Sequence, residues 1–102
     1  MATIIRDVFL SFVRVHILHH AAKERVFGLA MIEELRRHGY ALSPGTLYPI
    51  LHAMEQSELL KCEQKVVGGK VRKYYTSTAK GRRMLAEVKE RIQELLEELL
   101  ED

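Results

Sequence analysis

His16, His19 and His20 are the first side chains in this chain that could do chemistry. A four-residue step puts His16 and His20 on one face of a helix, where two imidazoles can share a metal ion. In sequence that pair has no cysteine and no cluster of acids beside it, so no metal is expected. Cys62 is the only thiol; alone it suits a redox switch less well than the ordinary role of a small strand residue. Nucleophilic or acid–base catalysis finds nothing to work with. There is no Ser–His–acid pattern, no pair of carboxylates in a polar setting and no phosphate loop of the GxxxxGK type, so neither an enzyme nor a cofactor is expected.

The remaining chemistry is recognition of an anion, and two stretches carry it. The first is "SPGTLYPIL", Ser43 to Leu51. Ser43, Gly45, Thr46 and Tyr48 can offer hydroxyl and backbone donors to phosphates at a helix N-terminus, where the dipole also favours negative charge. Thr46, Pro49 and His52 are placed to touch bases. Leu47, Ile50, Leu51 and Met54 form the opposite, inward face, leaving an acid-free outer face of small or hydrogen-bonding groups that a major groove accepts. No Arg, Asn or Gln shares that face, so part of the specificity is expected to come from DNA shape. The second stretch is basic. From Lys70 to Arg83 there are six bases and no acid, whereas Glu87 to Asp102 holds seven acids against two bases. A formal net charge of +2 conceals this division, which points to an anionic partner for one part of the molecule. Lys70, Arg72 and Lys73 are the expected phosphate or minor-groove contacts. Tyr74 and Tyr75 alternate, so one packs inward and the other, taken as Tyr74, reaches toward a phosphate.

The elements that hold these groups follow from periodicity. Residues 3–22 place Ile5, Val8, Phe9, Phe12 and Val13 at helical spacing with Leu10 and Ile17 on another side, a helix apolar over more than one stripe. A second helix is expected over 26–37, closed by Gly39. A short connector leads to the third, which starts at Ser43–Pro44 or, if Thr46 is the cap, closer to Pro49. Two helices joined by so short a turn give a helix-turn-helix. Leu60 to Val66 alternates as a strand, "GGK" at 68–70 signals a hairpin turn, and Val71 to Thr76 is rich in β-formers. The fold class is therefore mostly α with a small β-hairpin, a winged helix-turn-helix over residues 1–78. Residues 79–102 form a C-terminal helix continuous with it as one structural unit. Leu85, Val88, Ile92, Leu95 and Leu99 step 3, 4, 3, 4 along that helix, and Leu96 widens the seam. So much apolar surface on so small a domain predicts a homodimer through Leu85, Val88, Ile92, Leu95, Leu96 and Leu99, with Leu10 and Ile17 of the first helix against the partner.

Size and composition agree with a single domain: 102 residues, 47% hydrophobic and 29% charged. The apolar-rich stretch from Ile4 to Leu18 is broken by Arg6, Asp7, Ser11, Arg14 and His16, so no membrane span or signal peptide is expected. One cysteine excludes an intramolecular disulfide and places the chain most simply in a reducing cytoplasm.

"FGLAMIEELRRHGYALSPGTLYPILHAMEQSELL" followed by "GGKVRKYYTSTAKGRRML" resembles the PadR family of bacterial transcriptional regulators over Phe27 to Leu85. The resemblance implies a homodimeric repressor on a palindromic operator in double-stranded DNA. It also implies a short member ending in one dimerisation helix and, as in many members, release by a small molecule. Leu29 and Ala30 stand where an aromatic and an acid are common, and Ser77 replaces an apolar neighbour; these touch packing more than the reading face. Some short members line an effector pore at the dimer interface with tryptophans, and this chain has none. Phe9, Phe12 and Val13 are the residues left to line a pocket for an aromatic or drug-like effector. The rival reading is a winged helix used for protein contact, its basic wing gripping an acidic partner.

Overall fold

One stripe of the first helix is sealed into the protein. In the computed structural model, which describes residues 2–101, α1 spans Ala2–Lys23 and buries Val13, Ile17, Leu18 and Ala21. Met1 and Asp102, the outer ends of the two segments expected from sequence, lie outside the described residues. Beyond α1 come β1 (Val26–Phe27), α2 (Gly28–Arg37), α3 (Pro44–Gln56), β2 (Leu60–Val67), β3 (Lys70–Ser77) and α4 (Ala79–Leu100). Met31 and Leu35 of α2, Leu47 and Leu51 of α3, Leu60 of β2 and Tyr75 of β3 meet the α1 stripe in a single core. Each such side chain contributes roughly 1.5–3 kcal/mol of burial. Three helices, a hairpin and a trailing helix make a winged helix.

The second helix starts two residues later than its periodicity suggests. Val26 and Phe27 pair antiparallel with Tyr75 and Tyr74, giving a three-stranded sheet in the order β1-β3-β2 rather than a bare hairpin. A β-branched and an aromatic residue satisfy part of the edge of β3 that would otherwise lie open. Gly28 then begins α2 beneath the Tyr48 ring: a Cβ there would stand 2.7 Å from Tyr48 Cζ.

Both α2 and α3 end in the same hydrogen-bonded turn. After α2, Tyr40 N–H donates to the Leu35 carbonyl at 2.9 Å and Gly39 N–H to that of Arg36 at 3.0 Å, with Gly39 at φ +89°. After α3, Leu59 N–H donates to Met54 and Glu58 N–H to Glu55, both at 2.9 Å, but the left-handed position is Glu58 at φ 62°. A side chain there carries a Cβ penalty that glycine avoids. Glu58→Gly is therefore expected to stabilise the protein by about 0.5–1 kcal/mol, read as a higher denaturation midpoint at unchanged m-value.

The start of α3 resolves the two alternatives open in the sequence. Ser43 occupies the cap position and Pro44 the first helical one, so Pro49 lies inside the helix and has no N–H for the Gly45 carbonyl. The Ser43 hydroxyl makes no capping bond, contrary to expectation. It lies 3.3 Å from Thr46 Oγ1 instead, while the Ser43 carbonyl takes Thr46 N–H and Leu47 N–H, each at 3.0 Å.

At the hairpin tip Gly68 and Gly69, at φ +58° and +79°, make a two-residue turn that sets the register at Val67 opposite Lys70. The inward alternation of β2 fades after Leu60 and Cys62, because the outer half of the hairpin leaves the body of the domain.

A tight joint launches α4. Thr78 Oγ1 accepts Gly81 N–H at 2.9 Å and donates to the Glu58 carbonyl, and Thr78 N–H reaches Leu59 at 3.1 Å. Gly81 is buried there; a Cβ would overlap the Leu59 carbonyl and stand 2.7 Å from Ser77 Oγ. Because the obstacle is backbone, Gly81→Ala is expected to destabilise by about 2–3 kcal/mol, seen as a lower melting temperature of the intact fold.

Candidate nucleic-acid interface

The first half of α3 presents the surface its sequence implied. Ser43, Gly45, Pro49 and His52 are exposed and Thr46 is half-buried, while Leu47, Ile50, Leu51 and Met54 face the core. No acid lies in the first turn of this helix. Tyr48 differs. Its ring is partly buried against Gly28 and packs on the core, so it acts first as a wedge between α2 and α3.

The hairpin divides its bases over two faces. Alternation along β3 puts Lys70, Arg72 and Tyr74 on one side, and Lys73 on the side of buried Tyr75 and Ser77. Arg72, though exposed, folds over a ring: its guanidinium carbon lies 4.7 Å from the centre of the Phe27 ring. Tyr74, half-buried, rests 6.0 Å from Phe27 and under Arg25, whose guanidinium carbon stands 5.0 Å from the Tyr74 ring. Tyr75 is the inward tyrosine; burial, then neighbouring Cys62, pushes its hydroxyl up to about 12.

Three further cations join this face: Lys61, Lys65 and Arg25, the last over the Tyr74 ring. Lys65 stands opposite Arg72 and Lys61 opposite Thr76, and directly opposed residues share a face. The two-residue turn at Gly68–Gly69 already implies that pairing, so Lys65 was recoverable from sequence. Arg25 was not, since it depends on β1. Conversely, two of the six bases between Lys70 and Arg83 are occupied elsewhere. Lys80 Nζ donates to the Ser57 carbonyl and Arg82 Nη1 to that of Ser77, both at 3.0 Å, bracing the α4 joint.

The proposed dimer residues separate by burial. Ile92, Leu95, Leu96 and Leu99 are exposed on α4, Leu85 and Val88 are half-buried, and Leu10 is half-buried against the core. Ile17 is fully buried within its own chain, so it cannot face a partner; α1 turns that side to α2 and the sheet. Instead Ile4, Ile5, Val8 and Phe12 stand out to solvent.

The effector residues need a similar correction. A groove of about 430 Å³ between α1 and α4 is lined by Phe12, Val15, His16, Tyr40, Leu85 and Ile92, among others. Phe12 belongs to it, but Val13 is a core residue with no exposed surface. Phe9 is outside the lining, packed edge-on against Tyr40 at 4.7 Å.

His16 and His20 do share a face of α1, and a third imidazole, His38, meets them from the turn after α2. Burial first, then His38 and His20, hold the His16 imidazole below its usual pKa. No described helix is long and apolar enough to cross a membrane.

Comparison with known proteins agrees with this architecture. Residues 17–87 match the model of the Transcriptional regulator PadR-like family. The chain is 48% identical over 95 residues to Transcriptional regulator Rv3488 of Mycobacterium tuberculosis, covering 93% of this chain and 89% of that protein. Its fold superposes with a TM-score of 0.83 on a PadR family transcriptional regulator from Eggerthella lenta, 28% identical, over 96% of this chain and 87% of that one. A PadR-like transcriptional regulator from Bacillus cereus gives 0.79 at 29% identity, over 94% and 98%.

Proposed function

The chain belongs to the PadR-like family of transcriptional regulators, and from that premise we propose that it is a homodimeric repressor that reads a palindromic operator. The observation that carries this reading is the exposed, acid-free start of α3 beside a hairpin bearing Lys65, Lys70, Arg72 and Lys73. Ser43, Gly45 and Thr46 meet phosphates through the helix N-terminus, Pro49 and His52 face base edges, and the hairpin holds the flanking backbone. Two copies of α3 related by a two-fold axis then enter successive major grooves about one helical turn apart.

Dimerisation is supported by unpartnered apolar surface. Leu95 and Leu99 are 54% and 69% exposed on α4, and Ile4 and Ile5 reach 70% and 68% at the start of α1. A partner's α1 and α4 cover these residues in a self-complementary interface. The α1–α4 groove adjoins that surface and suits a flat apolar effector, whose binding shifts the spacing of the two reading helices. A thermal-shift screen of aromatic compounds is expected to find ligands that raise the melting temperature of wild type but not of Phe12→Ala.

Selection from a pool of random duplexes tests the principal reading. A two-fold symmetric consensus with half-sites about one turn apart is the expected outcome. An unselected pool, with capture of an acidic protein by the hairpin, would instead favour the protein-contact role.

A further inference from the structure

The cluster joining α1 to the turn after α2 has the composition of a metal centre. His16 and His20 project from one face of α1, and His38 follows α2 just before the turn that leads to α3. One donor atom from each imidazole lies within 4.8 Å of the other two. Donors around a four-coordinate zinc, at 2.0–2.1 Å from the ion, stand roughly 3.3–3.4 Å apart. Side-chain rotation alone closes a gap of that size.

A fourth donor is already turned toward the group. Glu34 of α2 splits its carboxylate: Oε2 is 3.3 Å from Arg37 Nη1, while Oε1 is 3.5 Å from His20 Nε2 and 3.9 Å from His38 Nε2. Arg37 thereby orients Glu34 and leaves one oxygen facing the imidazoles, the supporting arrangement seen around bound metals. At His20 the approach is close but produces no hydrogen bond, so its buried Nε2 has no partner among the described residues. The imidazoles of His16 and His38 stack at 4.6 Å, which holds the two donors side by side.

We propose that His16, His20, His38 and Glu34 bind one divalent first-row transition ion per chain. Three imidazoles with a carboxylate suit zinc and its neighbours nickel, cobalt and copper, whereas calcium and magnesium want oxygen donors. The ion would tie α1 to α2 and to the turn that feeds α3. The inference is independent of the DNA reading, because metal binding and melting temperature report it without DNA.

The test uses tag-free full-length protein stripped with chelator, then titrated with Zn²⁺ in a calorimeter and with Co²⁺ by visible absorption. One ion per chain is expected, with a higher melting temperature and cobalt bands of a four- or five-coordinate nitrogen–oxygen site lacking thiolate charge transfer. His16→Ala and His38→Ala should each weaken Zn²⁺ by at least about tenfold and abolish the thermal shift. Cys62→Ser, outside the cluster, should keep wild-type affinity. If a histidine variant fails to fold, Glu34→Gln changes the donor set with almost no change of shape and is also expected to weaken binding. Absence of saturable binding in wild type overturns the proposal. So does affinity unchanged in the folded cluster variants, or lost instead in Cys62→Ser.

Discussion

With glutamate at both Leu95 and Leu99, the protein is expected to sediment as a folded monomer and to lose most of its operator affinity. Both leucines are largely exposed on the single chain, so substitution leaves its core and the α4 joint intact. In a two-fold interface each change counts twice. Four carboxylates would then have to be buried or held beside Glu94, Glu97 and Glu98, which already crowd this end of the helix. At a cost of at least about 1 kcal/mol for each poorly solvated carboxylate, the dimer weakens by on the order of a thousandfold. DNA binding follows, because joining two half-site readers supplies an advantage of about 10²–10⁴ that a monomer forfeits. Sedimentation equilibrium and operator titration read the two effects separately. A dimer that survives both substitutions would place the interface elsewhere.

Alanine at Lys70, Arg72 and Lys73 is the second large effect, and its signature is the salt dependence. A dimer carries two hairpins, so the triple variant removes six cations. Each phosphate contact contributes about 0.9 to the slope of log affinity against log salt, so a slope shallower by roughly three to five is expected. The lower end allows for Arg72, part of whose guanidinium is committed to the Phe27 ring, and for Lys73, which projects from the other face of the hairpin. Affinity at physiological salt should fall at least about a hundredfold, since a charged hydrogen bond is worth on the order of 1 kcal/mol even when exposed. Stability should fall by no more than about 1 kcal/mol, from the Arg72 contact with the Phe27 ring, because exposed hairpin charges contribute little else to folding. Lys65→Ala should act in the same direction and more weakly, Lys65 being 3.5 Å from Glu63.

Period and turn chemistry made most of this arrangement legible from sequence. The α3 stripe, the glycine turn and the 3-4 seam of α4 are local patterns, and each folds as its spacing says. What escaped depends on partners distant in the chain. Val26–Phe27 is too short to show a strand period and becomes one only because β3 offers an edge. On α1, apolar residues on two sides left open which one faced inward; burial of Ile17 and Val13 in the core shared with α2, α3 and the sheet decides it. His38 joins His20 and His16 from eighteen and twenty-two positions away, a proximity no helical spacing encodes. Lys80 and Arg82 read as free charge until the joint at the start of α4 claims them through the Ser57 and Ser77 carbonyls.

The most direct measurement is fluorescence anisotropy of the wild-type protein on the duplex upstream of its own gene, set against a scrambled duplex of equal length over a series of salt concentrations. Saturation at two chains per site is predicted, with at least about a thousandfold preference for the native duplex at physiological salt and a steep negative salt slope. Equal affinity for both duplexes across that range would contradict sequence-specific operator binding.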